Sequence, residues 1–249
     1  MSLIYKKLAE ISSRYSAKTA LVTDDIAITY SDLINDIDIL SDILILEGIR
    51  KNSEVVLLLN NRAAEMTAIF AAIRSGGIAI PIDPTSSVDQ IQNIVRHTKP
   101  WIVITTNEDV EKFPIIRDIV SCQILFMENA LKSPLLAEKN NSNSLDHMGS
   151  RAIEKLMDIQ SEDIALSIPY SISRDDAAFL NFSHAELTNS SENFHPLKNI
   201  SREWIELVEF DKYLQFSLVK VIHTLFNGGT ADFSSNPAQP KDKIHSRYE

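Results

Sequence analysis

The stretch Val55–Pro84, VVLLLNNRAAEMTAIFAAIRSGGIAIPIDP, constrains this chain more than any other. Val55–Leu59 is a five-residue apolar run, too short for a membrane span and suited to a strand buried on both faces. The period then changes. Met66, Ile69, Phe70 and Ile73 recur every three or four residues and predict a helix over Ala63–Ser75 with one apolar stripe. Gly76-Gly77 ends that helix, because glycine tolerates the left-handed backbone of a helix stop. Ile78–Ile82 is the next strand, closed by Asp83-Pro84. Strand, helix and strand with short links form a β-α-β unit, which makes the two strands parallel.

The same alternation continues on both sides. Residues 1–20 read as a short amphipathic helix with Leu3, Leu8 and Ile11 as apolar points. Ala20–Ile28 is strand-like around a turn at Asp24-Asp25. Leu33, Ile37, Leu40 and Leu44 predict a helix stopped by Gly48. Thr29 and Tyr30, at its start, are assigned to capping and packing. After Pro84, Ser86 and Asp89 have the spacing of a capping box. Val88, Ile91, Ile94 and Val95 form the buried face of that helix, and Lys99-Pro100 ends it. A strand at Trp101–Thr105, a helix at Glu108–Val120 and a strand at Gln123–Met127 follow, with a short helix at Ala152–Met157. The fold class expected is α/β: layered, mainly parallel sheets flanked by helices, in two lobes. Residues 1–133 form the first lobe and the polar, Asn- and Ser-rich 134–160 a linker or mobile loop. Residues 161–233 form a partial second lobe, and 234–249 a flexible tail.

With 249 residues the chain needs neither disulfide nor metal to fold. Cys122 is the only cysteine; set in an apolar strand, it is a poor nucleophile. The formal charge of −10 argues against nucleic acid or anionic membrane as a partner, since both are bound through clustered Lys and Arg. No apolar run reaches spanning length and the first residues lack a signal-peptide core, so a cytoplasmic location is expected. The six histidines are scattered without ligand spacing, so no metal site is expected. No catalytic set of Ser, His, Asp or Cys is readable either.

The block AIRSGGIAIPIDP resembles L-K-A-G-G-A-Y-V-P-I-D-P of the adenylate-forming (AMP-binding) enzymes, most closely the adenylation domains of nonribosomal peptide synthetases. ITYSDL, Ile28–Leu33, is similar to their L-T-Y-x-E-L. The resemblance runs from about Ala20 to Phe233 and corresponds to the first half of the family's large domain. It implies activation of a carboxylate by ATP to an acyl-adenylate, followed by transfer to a thiol.

The family's phosphate loop reads D-x-A-Y-I-x-Y-T-S-G-S-T-G-x-P-K-G-V-x-x-T-H. Here the chain has DIALSIPYSISRDDAAFLNFSHAEL, Asp163–Leu187, aligned without a gap. Asp163, Ala165, Ser171, Ser173 and His184 fall on matching positions. The three loop glycines become Ile172, Asp175 and Phe179, and the proline and lysine become Ala177 and Ala178. No glycine occurs between Gly149 and Gly228. Isoleucine and phenylalanine disfavour positive φ and block close backbone approach to a phosphate. Asp175-Asp176 adds charge of the wrong sign. Each carboxylate–phosphate pair at about 5 Å costs about 1 kcal/mol in water and about 3 at an effective dielectric of 20.

Ser171, Ser173 and Arg174 remain as candidate anion ligands of a degenerate loop, although such residues are more often solvated surface. His184, in the family position, and Asp211 are candidates on the substrate side. Downstream, YLQFSLVKVIHTLFNGGTADF resembles the family block L-Q-F-S…F-D-x-S…L-L-S-G-G-T, whose aspartate holds the amino group of an amino acid. Asp211 reaches that position only with an insertion. The later Thr-Glu and Thr-Gly-Asp motifs do not occur in the chain.

The expectation is therefore a truncated, non-catalytic adenylation-domain-like protein acting as a binding or docking partner. Its partner would be a peptide synthetase, a carrier protein or a complementary ligase half, and a homodimer stays open. No cofactor is expected. ATP and magnesium enter only in the alternative, where the chain is a subunit of a split adenylating ligase. A further alternative is a small-molecule binder reusing the sheet crevice.

Overall fold

In the computed structural model, residues 3–83, 85–112, 122–131, 158–172, 176–193, 205–207 and 214–235 are described. The chain opens with helix α1 (Leu3–Tyr15), which buries Ile4, Tyr5 and Leu8 and leaves Leu3 exposed. A hairpin of β1 (Thr19–Val22) and β2 (Ala27–Thr29) follows, turning at the expected aspartates. Thr29 caps α2 (Tyr30–Leu46) by accepting from Asp32 N at 3.1 Å. Gly48, at φ +95°, is the expected stop.

The β-α-β unit forms as its pattern requires. Strand β3 (Glu54–Leu57) leads through α3 (Arg62–Arg74) to β4 (Ile78–Pro81), and the two strands are parallel with Val55 opposite Ala79. Gly76 lies at φ +81°. Gly77 is required for space, since a Cβ there would stand 3.0 Å from the Ser53 carbonyl oxygen.

Helix α4 (Val88–Thr98) starts one residue later than the expected capping box. Ser87, not Ser86, is the N-cap. Its hydroxyl accepts from Gln90 N, and the Gln90 side chain accepts from Ser87 N at 2.8 Å. Both Ser86/Asp89 and Ser87/Gln90 have the spacing, but Gln90 closes the reciprocal bond. The shift leaves Val88 40% exposed rather than on the buried face with Ile91, Ile94 and Val95.

Next come β5 (Ile102–Thr105), α5 (Asn107–Lys112), β6 (Gln123–Phe126) and α6 (Met127–Leu131). Trp101 and Cys122, both expected within strands, instead stand one residue before β5 and β6. Cys122 is half-buried, and burial raises its thiol pKa. Met127 opens a helix instead of closing a strand. The expected helix at Glu108–Val120 is described only to Lys112, and the one at Ala152–Met157 lies outside the described residues.

Strands β7 (Ile164–Ile172) and β8 (Ala177–Ser183) form an antiparallel hairpin. Helix α7 (His184–Asn193), β9 (Ile205–Leu207), α8 (Leu214–Phe226) and β10 (Thr230–Asp232) complete the order. Six strands form one sheet in the order β6-β5-β3-β4-β7-β8, parallel except for β8. Four form the other, in the order β2-β1-β10-β9, parallel except for β2. The segment expected as a second lobe thus contributes to both sheets. Its β7 extends the sheet of residues 54–126, and its β10 lies beside β1.

Alternation along β3 explains the layering. Val55 and Leu57 face a large core that runs through α1, α2, α3 and α8 to Leu21, Ile28 and Ala231 of the four-stranded sheet. Val56 and Leu58 face a second core under α4, with Ile80, Ile91 and Ile94. A strand buried on both faces reads as a continuous apolar run, as Val55–Leu59 does. Among the described residues no helix is long and apolar enough to cross a membrane.

Candidate functional site

The segment whose sequence resembles the family's phosphate loop folds as the β7–β8 hairpin. Ile172 is opposite Ala177, and Ser171 is opposite Ala178 after a register shift beyond Pro169. Ser171 is exposed. Ser173, Arg174 and Asp211 lie outside the described residues.

Two of the residues aligned with loop glycines are used for packing. Ile172 and Phe179 both lie against the core under α4, with Val56, Leu58 and Ile80. The Phe179 ring stacks on His97 of α4, with centroids 5.4 Å apart and planes at 24°. Asn93, Arg96, His97, Asp176 and Ala177 surround a small cavity of about 230 Å³ between α4 and the hairpin. That is below the about 300–1,000 Å³ of most small-molecule sites. Asn93, Arg96 and His97 were not singled out in the sequence. Their polar run on the face of α4 opposite Ile91 and Ile94 is the signal that marks them.

His184 begins α7, where its N–H donates to the Asp163 carbonyl at 3.0 Å. Its side chain is 2% exposed. Burial lowers its pKa to about 4, against the opposing effect of the Asp163 carboxylate. A buried, neutral imidazole is a packing residue and cannot meet a substrate from solvent without local opening. Asp163 pairs with Lys51 at 2.7 Å, tying the start of β7 to the turn before β3.

A second polar group lies past the C-terminal ends of β3, β4 and β5, where open α/β sheets bind ligands. Asn61 caps α3, accepting from Ala64 N at 3.0 Å. Asp109 accepts from the Asn60 side-chain amide and from the Thr106 hydroxyl, the latter at 2.7 Å. Glu65 is fully buried and pairs with Arg62 at 2.7 Å. Burial raises its pKa while Arg62 opposes. Asp109 ties Asn60 and Thr106 together at the strand ends, whereas Glu65 Oε1 is buried without a hydrogen-bond partner. Among the described residues no group of His, Cys, Asp and Glu could hold a metal ion.

At the far end of the chain, Gly228-Gly229 turns from α8 into β10. Gly228 lies at φ +71°, with its carbonyl accepting from Lys18 Nζ and the Tyr15 ring 2.8 Å from where a Cβ would be. Tyr30, buried as packing had implied, donates to the Gly229 carbonyl at 2.6 Å. The turn is structural. Ser235, the second residue of the expected tail, is anchored through its N–H and hydroxyl to Asp24.

Comparison with known proteins agrees with this architecture. Residues 8–183 match the family of AMP-binding enzymes. The chain belongs to that family. A dimodular nonribosomal peptide synthase of Bacillus subtilis (strain 168) is 27% identical over 135 residues, 52% of this chain and 6% of the synthase. Tyrocidine synthase 3 of Brevibacillus parabrevis is 31% identical over 102 residues, 41% of this chain and 2% of that protein. VinN, solved with 3-methylaspartate, superposes with a TM-score of 0.79 at 17% identity, covering 93% of this chain and 61% of VinN. A fatty acyl-adenylate ligase from L. pneumophila, solved with acyl adenylate and pyrophosphate, superposes at 0.74 and 18% identity, covering 93% of this chain and 39% of the ligase. This AMP-binding-family chain therefore spans a small share of its curated relatives and up to about three-fifths of these structural ones.

Proposed function

We propose that this AMP-binding-family chain is a non-catalytic relative that serves as a binding or docking partner in a peptide-synthetase or carrier-protein setting. The packing of Ile172 and Phe179 supports this reading most directly. A phosphate-binding loop needs backbone N–H groups free to approach an anion. Here two of the three positions that the resemblance gives to glycine are side chains packed against the core. Asp176 adds a carboxylate beside them. The family's chemistry has lost its phosphate cradle while the sheet that carried it is intact. The docking role and its pathway rest on the family's usual company.

A pyrophosphate-exchange assay of the purified chain with amino acids and fatty acids tests the first half of the reading. No substrate-dependent exchange is expected. Calorimetric titration with a carrier protein from the same genome tests the second, and saturable binding is expected.

One observation favours a second reading, a ligase half completed by another subunit. Tyr170 and Ile205 are each 59% exposed and Leu180 is 37% exposed, on the hairpin and on the edge strand β9. Exposed apolar side chains at sheet margins suit a protein interface. Under this reading, exchange appears only when the partner subunit is added.

A further inference from the structure

A larger groove lies at the N-terminal edge of the six-stranded sheet, opposite the C-terminal strand ends. Trp101 and Cys122 stand one residue before the parallel strands β5 and β6. Helix α4 ends above them at Lys99, whose φ of +46° turns the chain sharply into Pro100. Between these parts is a groove of about 810 Å³. That volume is within the range of small-molecule sites.

Its wall is apolar and its rim is cationic. Val95, Pro100, Trp101 and Cys122 line it together with Arg96 and Lys99. Trp101 is 52% exposed yet fixed in place. Its indole N–H donates to the Glu47 carbonyl at 2.9 Å, and its ring edge lies so close to Gly48 that a Cβ there would be 3.0 Å away. A rigid, exposed aromatic side chain offers contact area at little entropic cost. Arg96 and Lys99 are exposed cations on a chain of net charge −10, so their placement at one groove is selective. The nearby Glu47 carboxylate is engaged by Gln123 Nε2 at 3.1 Å.

We infer that this groove binds an amphipathic organic anion: an aryl or aliphatic body against Trp101, Val95 and Pro100, and a carboxylate-type head group between Arg96 and Lys99. The inference is independent of the docking reading, since no residue of the described hairpin strands lines the groove.

The probe is 2-naphthoate, titrated by calorimetry against the whole chain, with 2-naphthylmethanol as its uncharged counterpart. Saturable naphthoate binding is expected, weakened about tenfold in the alcohol and about tenfold in Arg96→Gln/Lys99→Gln. Both side chains are exposed, so the variant should keep the wild-type thermal midpoint. Cys122 supplies a second readout in the unaltered protein: its alkylation by N-ethylmaleimide should slow at saturating naphthoate. Absence of saturable binding at millimolar naphthoate, equal affinity for the alcohol, or unchanged Cys122 alkylation overturns the inference.

Discussion

The hydroxyl of Tyr30, at the start of α2, donates to the carbonyl of Gly229, 199 residues later, at 2.6 Å. The Leu225 carbonyl lies 3.1 Å from the same hydroxyl. Through this one group the early helix holds the turn that carries β10 back beside β1. Burial raises the Tyr30 pKa well above the ordinary tyrosine value, so the group remains a donor throughout the accessible pH range. Tyr30→Phe should cost about 1–3 kcal/mol, because the buried Gly229 carbonyl loses its donor. Urea unfolding measures this as a lower midpoint at unchanged slope.

Gly228→Ala attacks the same turn from the other side. At φ +71° with a Cβ 2.8 Å from the Tyr15 ring, the variant suffers both backbone strain and a clash. The expected loss is about 2 kcal/mol or more. In a Tyr15→Ala background the clash is gone and only the strain remains, so the cost of Gly228→Ala should fall to about 1–2 kcal/mol. Thermal unfolding of the four proteins completes the cycle.

The buried titratable groups give the fold a pH signature of two opposing parts. His184 has a folded pKa of about 4, below its usual 6.5. The unfolded chain therefore binds more protons in between, and this contribution to stability is full above pH 6.5 and is lost as pH falls to 4. Its size is at most about 3 kcal/mol. Asp36 has a folded pKa of about 6, raised by burial from 3.8. Its contribution is the reverse: present at low pH and lost as pH rises through 6. Asp36→Asn should thus stabilise the chain at pH 7, by up to about 3 kcal/mol, and leave His184 opposed by Glu65, whose pKa burial also raises. Unfolding free energies from pH 4 to 8 for wild type and Asp36→Asn check both signs.

Restoring the glycines should not restore the loop. Ile172→Gly/Phe179→Gly removes two side chains packed beside Val56 and Leu58, and the His97 stack with them. The expected cost is several kcal/mol, about 2–4 for the phenylalanine alone. Nucleotide binding should not appear, since Asp176 and the missing lysine are unaltered. Chemical denaturation and calorimetry of the double variant test both statements.

Elements whose period is local were legible in the sequence. Val55–Leu59 announced a strand buried on both faces, and Met66, Ile69, Phe70 and Ile73 announced α3. The capping of α4 was ambiguous by one residue, because Ser86 and Ser87 both have a partner three positions on and only the folded backbone selects Gln90. Long-range pairing left no local trace: nothing in Ala165–Ile168 says that β7 lies beside β4, or in Thr230–Asp232 that β10 lies beside β1. The candidate site was legible as sequence and not as geometry. Its lost glycines were visible, but not that Phe179 stacks on His97. His184 was visible by position, but not that burial removes it from solvent. Ser173, Arg174 and Asp211 lie outside the described residues.

Calorimetric titration of the purified chain with Mg·ATP, repeated with AMP, addresses the proposed loss of the phosphate cradle most directly. No binding heat at millimolar nucleotide is the result expected of a hairpin whose glycine positions are packed with Ile172 and Phe179. Saturable binding at micromolar nucleotide would contradict it and would favour a ligase half awaiting its partner.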